Sequence, residues 1–228
     1  MRRPPMPPTR QKAVVLDFDG VLVQSMELHA EAYRRVLMPH GATVSDRDVF
    51  LAEGARSETI IRDFLRRAGA TVDDATVRAL ADEKQKLYKS IGQPPFYPGT
   101  RAMMERLHEE GVPLGLVTGT RRVNLERLIP HWMPWFRAVL AQDAYTHDKP
   151  HPEPYAKTAE RLGVPPARCA ALENAQRGVQ SAKAAGYDHV VALMTTLARA
   201  DFEGQPADAV VPDHEAAAEE LLRWYRAA

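Results

Sequence analysis

The stretch Ala13-Val14-Val15-Leu16-Asp17-Phe18-Asp19-Gly20-Val21-Leu22-Val23 constrains this chain more than any other. Val14, Val15 and Leu16 form an unbroken apolar run, the pattern of a parallel strand covered on both faces. Asp17 and Asp19 follow one strand period apart, so their side chains leave the backbone on the same side. Gly20 lets the chain turn where a side chain would obstruct a ligand. A single Asp before Gly merely ends a strand. Two carboxylates held together at the end of a buried strand are costly unless a cation or a proton offsets their repulsion.

Beyond Val23 the periodicity changes from strand to helix. Helices are expected from Met26 to Met38, from Ser57 (with Ser57 as the cap) to Ala68, and from Asp74 to Ile91, each carrying one apolar face. Gly92-Gln93-Pro94-Pro95 and Tyr97-Pro98-Gly99 then punctuate the chain. Residues 24–95 therefore read as an all-helical insertion between two connecting segments. From Thr100 onward helix and strand signals alternate: helices 100–110, 122–129, 151–162, 177–185 and 214–227, strands 112–117, 138–140, 169–172, 189–193 and 208–211. Such alternation predicts an α/β fold, a doubly wound parallel Rossmann-like sheet with helices on both faces. Ligands bind such sheets beyond the carboxyl ends of the strands. Asp17, Asp19, Thr118, Lys149, Glu173 and Asn174 all fall there or in the loops that follow.

At 228 residues the chain fits a core of residues 12–23 and 96–228 with residues 24–95 inserted, preceded by a Pro- and Arg-rich, disordered lead-in over residues 1–11. Thirty basic and 30 acidic residues give a formal net charge of +0, which argues against general binding to nucleic acid. No apolar run reaches the ~18 residues of a membrane span, and residues 1–11 lack the apolar segment of a secretory signal. Cys169 is the sole cysteine, set among apolar neighbours, which rules out an internal disulfide and fits a cytoplasmic protein.

Four segments in order carry a resemblance. Ala13–Gly20 is followed by Leu116-Val117-Thr118-Gly119-Thr120, then by Asp148-Lys149-Pro150-His151-Pro152, then by Ala171-Leu172-Glu173-Asn174 with Gly178 and Ala182–Gly186. In this order and spacing they resemble motifs I to IV of the haloacid dehalogenase-like hydrolases, in the branch of β-phosphoglucomutase and phosphoglycolate phosphatase, whose members insert a helical cap after motif I. The resemblance implies a Mg²⁺-dependent phosphatase acting on a small phosphorylated metabolite, a sugar phosphate or a phosphoglycolate-like ester. Asp17 would be the nucleophile that forms an aspartyl-phosphate. Asp19 would protonate the leaving oxygen and then deprotonate water. Thr118 and Lys149 would bind phosphoryl oxygens. Asp17, Asp19 through its backbone carbonyl, Glu173 and Asn174 would hold Mg²⁺. Gly119, Thr120, His29 and Arg56 would face the substrate, with the two cap residues equally open to packing roles. Glu173 and Asn174 also read as caps of the following helix.

Two departures stand out: the family usually has Asp where this chain has Asn174, and many relatives have Asp where it has Gln24. The first removes a formal charge from the metal site. Asp19 argues against the dehalogenase and phosphonoacetaldehyde hydrolase reactions, whose enzymes lack the second Asp. A phosphosugar mutase remains as an alternative, and a degenerate, non-catalytic binding module as a second. The expected partners are a small phosphorylated substrate and, at most, a second copy of the chain in a weak homodimer, without nucleic acid or membrane.

Overall fold

A computed structural model describes residues 11–227; the expected lead-in lies, Gln11 apart, outside the described residues. Six strands form one parallel sheet: β1 (Ala13–Leu16), β2 (Leu114–Val117), β3 (Phe136–Leu140), β4 (Cys169–Glu173), β5 (His189–Leu193) and β6 (Ala209–Val211). Their order is β3-β2-β1-β4-β5-β6, so β1 lies at the centre, between β2 and β4. Chain progression reverses direction across the sheet at β1, and the crevice beyond its carboxyl end is where such a sheet binds ligands. The doubly wound α/β class expected from alternation is the class observed.

Alternation along β1 builds two cores. Val14 and Leu16 face α5 (Thr100–Glu109) and α9 (His214–Arg226), through Met103, Met104, Leu107, Leu221 and Leu222. Ala13 and Val15 face the other side, with Tyr155 and Ala159 of α7 (Glu153–Leu162) and Val179 and Ala182 of α8 (Gln176–Ala184). Fully burying each Val or Leu contributes about 1.5–3 kcal/mol, so the strand that delivers the two aspartates is held from both faces. Between β2 and β3, α6 (Arg122–Leu128) packs Leu125 on the first core.

Between β1 and α5 lie four helices with a core of their own: α1 (Met26–Leu37), α2 (Asp46–Leu51), α3 (Ser57–Arg67) and α4 (Asp74–Ile91). Tyr33, Leu37, Ile61, Phe64, Leu65 and Leu80 fill their centre. The segments entering and leaving this insertion are stitched together: Gln24 N donates to Pro95 O at 2.8 Å and Tyr97 N to Leu22 O at 3.3 Å. Helix α2 was not expected. It is six residues long, too short for a periodic signal, and starts on a capping box in which Ser45 and Asp48 bond each other's backbone N–H. Ser57 is the first residue of α3 rather than its cap, and its hydroxyl accepts from Tyr33 OH at 3.0 Å. Helix α7 starts at Glu153, two residues later than expected.

Trp132 and Trp135 pack in the first core, with the Trp132 ring 4.7 Å from the Phe96 ring. Burial pushes the Cys169 thiol up to about 12, which fits a structural thiol. No helix among the described residues is long and apolar enough to cross a membrane.

Candidate active site

The carboxyl ends of β1, β2 and β4 converge with the loop after β3 on one group of polar side chains. Asp17 is buried at the end of β1. Lys149 Nζ donates to Asp17 Oδ1 at 2.5 Å and to Glu173 Oε1 at 2.5 Å, and Tyr155 OH donates to the same Glu173 oxygen at 2.6 Å. Burial pushes the Asp17 carboxyl well up, an effect that Lys149 opposes and that the charges of Glu173 and Asp19 reinforce. Lys149 goes the other way: burial alone would lower it, but its two carboxylate partners hold it well above the usual lysine range. The geometry gives Glu173 a role that the sequence did not suggest. Its carboxylate lies over Gly178, where a Cβ would approach within 2.1 Å, and fixes the Lys149 ammonium against Asp17. Only glycine leaves room for it there.

Asp19 accepts four contacts. Ser25 Oγ donates to Oδ1 at 2.7 Å and Thr120 Oγ1 to Oδ2 at 2.7 Å; Thr118 Oγ1 lies 3.3 Å from Oδ2 and His29 Nε2 3.8 Å from Oδ1. Burial pushes Asp19 up, but His29 and the Ser25 and Thr120 hydroxyls outweigh it and hold the carboxyl at about 2. His29 in turn stacks on Tyr88 at 4.0 Å and meets Lys84 Nζ through Nδ1 at 2.8 Å. Burial and the Lys84 charge lower His29 to about 4, and burial lowers Lys84 to about 8. A neutral His29 therefore stands between a cation and an anion.

Asn174 is fully buried. Its Nδ2 donates to Glu53 Oε2 at 2.7 Å and to Thr196 Oγ1 at 3.0 Å, while Oδ1 is buried with no hydrogen-bond partner. The cap of α8 is Ala175, whose side chain makes no bond, so neither Glu173 nor Asn174 caps that helix. Gly20, at φ +73°, sits directly beneath the amide, where a Cβ would lie 2.0 Å from Asn174 Nδ2. Burial, followed by Asp17, Glu173 and Asp19, raises the Glu53 carboxyl well above its usual range.

Core and insertion together enclose a cavity of about 260 Å³, lined by Asp17, Asp19, Glu53, Lys84, Gly119 and Thr120 among others. His29 and Arg56 line it too, but Arg56 bonds Asp148 Oδ2 at 2.7 Å and Thr146 O at 2.6 Å, and so ties the insertion to the loop that carries Lys149. Thr118 is fully buried, and its hydroxyl turns to Asp19 and accepts from Thr120 N at 2.9 Å. Reading the sequence missed Ser25, Glu53, Lys84 and Tyr88. Lys84 did leave a trace, a lysine on the apolar face that runs through Val77, Leu80 and Leu87. Ser25 lies four residues before His29, one helical turn away.

The family model described as haloacid dehalogenase-like hydrolase matches residues 11–186, and the chain belongs to that family. It is 29% identical over 223 residues to Protein CbbY of Rhodobacter capsulatus, covering 92% of this chain and 97% of that one. It is 28% identical over 183 residues to fructose-1-phosphate phosphatase YqaB of Escherichia coli, covering 79% and 96%. Beta-phosphoglucomutase from Clostridium difficile superposes with a TM-score of 0.79 at 20% identity, over 94% of this chain and 97% of that one, a likeness of fold.

Proposed function

We propose that this protein is a Mg²⁺-assisted phosphatase that hydrolyses a small phosphorylated metabolite, a sugar phosphate or phosphoglycolate-like ester, through an aspartyl-phosphate on Asp17. The observation that carries the reading is the pairing of two carboxylates with opposed environments: Asp17 against Lys149, and Asp19 among hydroxyl donors beside His29. Asp17 attacks phosphorus while Lys149 balances its charge and that of the phosphoryl oxygens. Asp19 is ionised in the free site, which suits it to take a proton from the attacking water in the second half-reaction. To protonate the leaving oxygen first, Asp19 must gain a proton, and the arrival of an anionic phosphate favours this by like-charge repulsion.

The donor set fits a hard divalent cation. The buried, unpartnered Oδ1 of Asn174 is an oxygen acceptor in a site already rich in carboxylates. Asp17, the backbone carbonyl of Asp19 and Asn174 Oδ1 would hold Mg²⁺, which when bound offsets the charge of Asp17 and of the phosphoryl group. Glu173 would join this set only through its second oxygen, because Lys149 and Tyr155 both engage Oε1. A cavity of about 260 Å³, lined by Lys84, Lys89, Arg121 and Arg127, supports a small anionic substrate.

The test is a screen of small phosphate esters with and without Mg²⁺, run beside Asp17→Asn. Release of inorganic phosphate in the wild type alone is expected; a variant within about tenfold of wild type would reject covalent catalysis at Asp17. Isomerised sugar phosphate without phosphate release would mark a mutase instead.

A further inference from the structure

Glu53 belongs to the insertion, in the turn between α2 and α3, yet its carboxylate reaches the floor of the core. We propose that Glu53 is a divalent-cation ligand delivered by the insertion, so that cation binding and closure of the insertion over the site are one event. This rests on the metal-assisted reading above and names a ligand and a coupling beyond it.

Three observations carry it. First, the turn is built for close approach. Gly54 has φ +91°, and a Cβ there would lie 3.2 Å from the Cβ atoms of both Arg177 and Lys149. Glycine lets the backbone following Glu53 settle directly on the loop that bears the Asp17 partner. Second, Asn174 and Glu53 are matched. The amide donates Nδ2 to Glu53 Oε2, which leaves Oδ1 as the buried acceptor without a partner. An aspartate at 174 would instead face Glu53 with like charge. Third, the charges are complementary. An amide ligand contributes an oxygen but no charge, and cation affinity rises with the charge of the ligands. Glu53 brings a carboxylate to the side of the site where Asn174 lacks one. Half-buried Glu53 lines the same cavity as Asp17, Asp19 and Glu173, and a cation set among these carboxylates would offset their repulsion. The hydrogen bonds of Lys149 go to Asp17 and Glu173, not to Glu53.

The insertion is also tied to the core by ion pairs on its rim, Arg56 with Asp148 and Arg47 with Asp201, where each arginine is about half exposed or more. Exposed pairs of this kind hold weakly, so a cation shared across the interface would add a stronger latch than they do.

The experiment uses the full chain and Mg²⁺ alone. Calorimetric titration gives the Mg²⁺ Kd for wild type, Glu53→Gln, Asn174→Asp and the double variant, and small-angle scattering gives the radius of gyration with and without Mg²⁺. Glu53→Gln is isosteric and still accepts from Asn174 Nδ2, and circular dichroism checks that it is folded. It should weaken Mg²⁺ binding by about tenfold or more and abolish the Mg²⁺-dependent contraction of the wild type. Adding Asn174→Asp to it should restore affinity, because the lost charge returns, but not the contraction, because that charge now belongs to the core. A Glu53→Gln variant that binds Mg²⁺ as wild type does would overturn the proposal. So would a wild type that binds Mg²⁺ with no change in dimensions. Loss of Mg²⁺ affinity in Glu53→Gln without turnover of any ester in the wild type would support the proposal and sink the phosphatase reading.

Discussion

Replacing Gly20 by alanine separates the two reasons for glycine between the aspartates and the insertion. The first is backbone: at φ +73° an L side chain costs about 1–2 kcal/mol. The second is contact. The new Cβ would lie 2.0 Å from Asn174 Nδ2 and 2.6 Å from its Cγ, distances that no real Cβ tolerates, so the amide must leave its place. Asn174 is fully buried and its Nδ2 bonds Glu53 and Thr196, so moving it breaks two hydrogen bonds, each worth about 0.5–1.5 kcal/mol. Gly163 is the matched control: it follows α7 in the same core with φ +66°, and a Cβ added there would meet nothing within 4 Å. Gly163→Ala should cost only the backbone part, and Gly20→Ala about 1–3 kcal/mol more, read as the difference in unfolding free energy by urea titration. Turnover should fall on the order of a hundredfold in Gly20→Ala, the scale of a misplaced site group, and stay near wild type in Gly163→Ala. Equal stability losses in the two variants, with turnover kept in Gly20→Ala, would refute the contact seen between Gly20 and Asn174.

Asp19→Asn should slow hydrolysis of an alkyl phosphate more than that of an activated aryl phosphate, because only the poor leaving group needs a proton; equal losses on both would remove Asp19 from acid catalysis. Lys84, lowered to about 8 by burial, binds fewer protons folded than unfolded between about pH 8 and its ordinary 10.5. Its contribution to stability should therefore rise with pH across that window, by up to about 3 kcal/mol. Denaturation curves at several pH values for wild type and Lys84→Met measure it as the difference between the two slopes, and parallel slopes would show that burial does not lower Lys84. If Arg56 latches the insertion to the Lys149 loop, Arg56→Ala should raise KM more than it lowers kcat while costing at most about 1 kcal/mol of stability. A lower kcat at unchanged KM would place Arg56 in the chemical step instead.

Much of this protein is determined locally. The apolar run Val14–Leu16 commits β1 to a position covered on both faces, and the two-residue period then puts Asp17 and Asp19 on one side without reference to the rest of the chain. The alternation after Thr100 determines the parallel sheet, and the insertion shows its 3.6-residue period in α1, α3 and α4 over enough turns to be read. Contacts between segments far apart in the chain have no such period. That Glu173 orients Lys149, that Ser25 and Thr120 hold Asp19, and that Glu53 meets Asn174 across 121 residues follow from how the insertion settles on the sheet. Asn174 shows the division most clearly. From the sequence its side chain reads as a metal ligand with a helix cap as the competing role, because both need only an oxygen near the end of β4. The tertiary structure removes the cap, since Ala175 takes that position, and places a carboxylate from the insertion on the amide nitrogen, which leaves the oxygen buried and without a partner beside the glycine that follows the aspartates of β1.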